Sequence, residues 1–173
     1  MDTFIGKPNL PDGKVTLGII DGRTRKSILA ALEESGVEII LSHKCDSLYE
    51  AVAYHPDMYM HHIESNLVVV APNAPRQTVD TLKSFGFEVI KGRRVIKNKY
   101  PWDIAYNVAR VGDYAFCNVE YTDEVLLSIL QERGVYIVHI KQGYAKCSIC
   151  VVNQRAIITS DEGITRALAS YDF

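Results

Sequence analysis

Three short segments hold most of the side chains able to do chemistry. They are His55-Pro56-Asp57-Met58-Tyr59-Met60-His61-His62, Asp103-Ile104-Ala105-Tyr106-Asn107 and Lys146-Cys147-Ser148-Ile149-Cys150. Thiol, imidazole, carboxylate and ammonium are the groups of nucleophilic attack, proton transfer and ion pairing. Read as strands, the segments place residues two or four apart on one side. Asp57 then shares a face with Tyr59 and His61, Asp103 with Asn107, and Lys146 with Ser148 and Cys150. Cys147 falls on the opposite face, among Ala145, Ile149 and Val151. A single bulge reverses that parity, so Cys147 and Cys150 both stand as candidates.

Blander roles exist for each group. Free cysteine is commonly a buried apolar thiol, Asp and Asn cap turns, and lysine is solvated. The Cys147-Ser148-Ile149-Cys150 spacing also suits a redox or zinc pair, but a redox pair belongs at a helix N-terminus. Zinc needs a second pair of ligands, and Cys45 and Cys117 stand alone. His61 and His62 point to opposite sides of a strand, so at most His55, Asp57 and His61 share a metal site; no metal or cofactor is expected. Lys91, Arg93, Arg94, Lys97 and Lys99 form a basic cluster that lacks interleaved aromatics and reads as a solvated connection.

The elements that must position these groups recur along the chain. Strand Val15–Ile20, a helix from Thr24 to Ser35 ended by Gly36, and strand Val37–Leu41 make the first pass. The second has strands Asp57–Ile63 and Leu67–Ala71, helix Pro75–Phe85, Gly86 and strand Phe87–Ile90. The third repeats that order with strands Asp103–Ala109 and Tyr114–Val119, helix Asp123–Arg133, Gly134 and strand Val135–Ile140. The fourth has strands Lys146–Val152 and Ala156–Thr159 and helix Glu162–Ser170. A period of roughly 45 residues signals repeated units that bury their faces against one another. The tight strand-turn-strand pairs are hairpins, which argues against an ordinary doubly wound parallel sheet.

Repeated hairpin-helix-strand units with polar first strands resemble the pentein fold, the five-unit fan of guanidino-group-modifying enzymes such as arginine deiminase. The segments around His55–His62, Tyr100–Asn107 and Gln142–Ile149 resemble an uncharacterised bacterial branch of that superfamily. The resemblance implies one α/β domain over residues 1–173, a fan of β-β-α-β units of which about three and a half are present. A ring needs five, so the chain looks C-terminally incomplete, and open strand edges would then invite a homo-oligomer. It also implies that the first hairpin strands converge on one pocket. There His61 would move protons, and Asp57 and Asp103 would anchor a guanidinium with Asn107 and Lys146 beside them; the cysteine of the resembled enzymes comes from their final unit, and in its place Cys150 or Cys147 of this chain would attack.

Composition narrows the partners. The 173 residues carry a formal charge of −2 and are 47% hydrophobic, enough for a single-domain core. Near-neutral charge gives no reason to expect nucleic acid or an anionic membrane, and no stretch approaches the ~20 apolar residues of a membrane span. A cytoplasmic protein with reduced thiols and a small-molecule substrate is expected. Two functions follow: a hydrolase or transferase acting on C–N bonds of a guanidine or amidine through cysteine, or a non-catalytic binding or assembly module on the same scaffold.

Overall fold

The computed structural model describes residues 4–11 and 13–171. Strand β1 (Leu17–Ile20) leads through α1 (Lys26–Glu34) to β2 (Glu38–Leu41), which runs parallel to it. A 3-10 turn at Pro56–Met58 precedes β3 (Met60–Glu64), β4 (Leu67–Val70), α2 (Arg76–Ser84) and β5 (Glu88–Lys91). The order recurs in β6 (Ala109–Val111), β7 (Tyr114–Cys117), α3 (Glu124–Glu132) and β8 (Tyr136–His139). One helical turn, α4 (Ala145–Ser148), then opens β9 (Cys150–Asn153), β10 (Ala156–Ile158) and α5 (Glu162–Leu168).

Sheets β3-β4-β5 and β6-β7-β8 have the same order and the same senses, an antiparallel hairpin followed by a parallel strand. The pair β1-β2 matches the parallel half of that unit, and β9-β10 matches its hairpin half. The architecture is mixed α/β, built from small sheets that do not close into a barrel. The expected end of the fourth unit at residues 172–173 lies outside the described residues.

Local chemistry explains why the unit repeats. Gly36, Gly86 and Gly134 sit at φ of 80°, 87° and 73°, in the left-handed region that glycine enters freely. Each lets the next residue turn back on its helix: Val37, Phe87 and Val135 donate to the carbonyls of Leu32, Leu82 and Leu130 at 3.0–3.1 Å. The returning strand is thereby aimed parallel to the one before the helix. Leu82, Leu126 and Leu130 are fully buried, whereas α1 buries no residue and leaves Ile28 half exposed.

The starts of α2, α3 and α5 also reach back to the preceding connection. Thr78 Oγ1 accepts the His43 N–H at 2.9 Å, and Asp161 Oδ2 accepts Gln142 Nε2 at 2.7 Å. Asp123 does most: Oδ1 caps α3 by accepting Val125 and Leu126 N–H at 3.0 Å. Its Oδ2 accepts Arg93 N–H, Arg94 N–H and the Tyr106 hydroxyl at 2.7, 2.6 and 3.1 Å. These bonds fix the basic connection, and folding supplies the aromatics that its sequence lacks. Lys97 lies 5.3 Å from the Trp102 ring, and Trp102 meets Tyr121 edge-on.

Candidate functional site

The first strands of the hairpins are shorter than the pattern predicts, and this reorganises the site. Asp57 sits in the 3-10 turn, Asp103 and Asn107 in turns before β6, and Lys146 and Cys147 in α4. The strand parity that assigned Cys147 to the wrong face therefore does not apply. Proline opens the first of these turns, and long-range side-chain bonds hold the others.

Cys147, Asp57 and Asn107 form one hydrogen-bonded group. The Cys147 thiol donates to Asp57 Oδ2 at 3.1 Å, and Asn107 Nδ2 donates to the same oxygen at 2.9 Å. Asn107 Nδ2 also lies 3.3 Å from Cys147 Sγ, and its Oδ1 accepts the Lys146 N–H at 2.8 Å. Asn107 is 1% exposed and both ends of its amide are engaged, so it fixes α4 to the 3-10 turn. Both bonds to Asp57 fall on Oδ2, so Oδ1 has no hydrogen-bond partner among the described residues, and Asp57 lines a cavity.

That cavity, about 660 Å³, lies between residues 4–11 and 13–19 and the hairpin of the second unit, and Asp57, His61, Lys146 and Asn9 bring polar groups to it. The volume is in the range of small-molecule sites. His61 is buried, and its Nε2 has no partner among the described residues. Burial first, then the Arg110 and Lys146 charges, hold its imidazole well below 6.5, so the ring is neutral at pH 7. Cys147 is exposed as a residue, yet its sulfur sits against Asn107 and Asp57. Burial of the sulfur, then the Asp57 charge, push the thiol up to about 12. At rest it is a protonated thiol.

The remaining candidates separate from this group. Cys150 begins β9, is exposed, and occupies the ladder position of His61, since each faces the third residue of its partner strand. It takes no part in the hydrogen bonding around Asp57. The buried thiols are Cys45 and Cys117, and all four cysteines are free. Asp103 is fully buried and accepts the Tyr144 hydroxyl at 2.7 Å, while its Oδ1 has no partner among the described residues. Burial, a bond to Tyr49 and the neighbouring Asp103 hold the Tyr144 phenol well above its ordinary value. Tyr144 immediately precedes α4, so Asp103 steadies the turn that carries Cys147. His55 lies 3.5 Å from Asp21, and no three His, Cys, Asp or Glu among the described residues group as a metal ion requires.

A family model, described as a family of unknown function (DUF6873), matches residues 19–173. The chain belongs to that family. Among solved structures, the chain is similar to an inosamine-phosphate amidinotransferase from Streptomyces griseus, with 18% identity and a TM-score of 0.43 over 71% of this chain and 36% of that one. An agmatine deiminase from C. jejuni has 12% identity and a TM-score of 0.46 over 80% of this chain and 48% of that one. The chain thus spans less than half the length of either structure. No curated protein matches it. No helix among the described residues of this DUF6873 member is long and apolar enough to cross a membrane.

Proposed function

We propose that the protein acts on a C–N bond of a guanidine or amidine small molecule, as a hydrolase or transferase, with Cys147 as the nucleophile. The observation that carries this reading is the Cys147 thiol bonded to Asp57 at the edge of a cavity that Asp57 and His61 line. Asp57 Oδ1 receives the cationic head of the ligand. Its positive charge offsets Asp57 and stands beside the sulfur, which favours the thiolate that the resting site disfavours. The thiol proton leaves along its hydrogen bond to Asp57 and is passed on to neutral His61, which lines the same cavity; sulfur bonds to the central carbon, and the C=N electron pair moves onto nitrogen. Collapse expels the amine, which takes the proton back from His61. Water or a second amine then displaces sulfur.

The resting thiol is also the observation that favours the other reading, a non-catalytic binding or assembly module. Turnover of arginine, agmatine and methylarginines by the wild type, Cys147→Ser, Cys150→Ser and His61→Gln separates the two. Catalysis predicts loss in Cys147→Ser and retention in Cys150→Ser. Undiminished turnover in Cys147→Ser, or no turnover of any guanidine, sinks the catalytic reading.

A further inference from the structure

Residues 4–11 form a strap across the second, third and fourth units. The Ile5 carbonyl accepts the Ser65 N–H at 3.0 Å, and Phe4 meets the Phe87 ring edge-on at 4.8 Å. Lys7 pairs with Asp113 at 2.7 Å. Asn9 reaches furthest: its Nδ2 donates to the Arg110 carbonyl at 3.4 Å, and its Oδ1 accepts the Lys146 ammonium. Asn9 stands at φ of 63°, a conformation that asparagine tolerates better than most residues. Its amide is therefore turned by the backbone and held at both ends.

Asn9, Lys146 and Asp57 line the same cavity. Burial depresses the Lys146 ammonium, and Asp57 is the strongest of the charges acting on it in the opposite sense. An ammonium that shares a cavity with a carboxylate having an open oxygen pairs with it when nothing else accepts its protons. Such a pair would cancel the charge that a cationic ligand needs. Asn9 supplies the other acceptor.

We propose that Asn9 is a positioning residue: by accepting Lys146 Nζ it holds that ammonium off Asp57 and keeps the carboxylate open to a cationic ligand. The inference rests on Asp57 being the cation anchor of the site. Two groups set the charge at the Cys147 thiol, Asp57 from the 3-10 turn and Lys146 from its own turn, so the thiol reports where Lys146 lies.

The test measures Cys147 alkylation by iodoacetamide against pH, by mass spectrometry, with an added small-molecule thiol as reference. It uses the wild type, Asn9→Ala, Lys146→Met and the double variant. In Asn9→Ala the freed ammonium moves onto Asp57, and the Cys147 profile shifts to lower pH by about one unit, roughly tenfold in rate at fixed pH. In the Lys146→Met background, removing Asn9 shifts nothing. A strap that merely loosened would move the profile equally in both backgrounds. That result, or an unmoved profile in Asn9→Ala, overturns the proposal. Protection of wild-type Cys147 by methylguanidine is scored separately: its absence removes the anchor reading of Asp57, while the four profiles decide the role of Asn9.

Discussion

Asp123 and Asp57 both stand at the start of a helical turn, and they are satisfied in opposite ways. Asp123 is fully buried, and both of its oxygens are saturated by backbone N–H groups and a tyrosine hydroxyl. Asp57 is half-buried, and its recorded donors, an amide and a thiol, crowd onto one oxygen. A saturated carboxylate is a structural tie. One left with an open oxygen at a cavity is available to a ligand.

The largest test of that contrast is Asp123→Ala. It strands the Arg93 and Arg94 N–H groups and the Tyr106 hydroxyl and removes the cap of α3, a loss of about 3–5 kcal/mol by urea unfolding. A loss no greater than that of Asp57→Ala would erase the distinction. A smaller effect concerns His61, another polar residue of the Asp57 cavity. Its imidazole is held below 6.5 by burial, so the unfolded chain takes up the proton first as pH falls. Stability on this account is intact above about pH 6.5 and is lost below it, by at most ~1.4 kcal/mol per pH unit. His61→Gln should flatten that acid limb of the pH-stability curve. Smallest in stability is Asp57→Asn, under about 1 kcal/mol. Because Asp57 helps to raise the Cys147 thiol, the same substitution moves its alkylation profile to lower pH. Unchanged alkylation with a large loss of stability would make Asp57 a second Asp123.

Much of the fold was legible because its signals are local. Apolar periodicity located α1, α2 and α3, and the glycines after these three helices marked where the chain turns back. Asp57, Cys147 and Asn107 were each among the candidates, but their grouping was not legible. The bonds joining them span 40 to 90 residues, and alternation within a segment carries no trace of them. Parity instead grouped Cys150 with Lys146 and set Cys147 opposite, because nothing local shows that Asn107 accepts the Lys146 N–H and coils that stretch into a helical turn. Asn9 went unnoticed in the sequence for the same reason. Its one local signal is its place between two prolines in a lead that otherwise reads as irregular.

The strap has a bearing on the order of assembly. Asn9 meets Lys146 across 137 positions, and Lys7 meets Asp113 across 106. Contacts of such separation come late, after shorter loops have closed. During synthesis Phe4 and Ile5 can meet their partners once the second unit has emerged, whereas Asn9 has to wait until the helical turn bearing Cys147 has left the ribosome. The thiol and its wall are completed in a single late event, so a nascent or partly unfolded chain holds the parts of the site without the site.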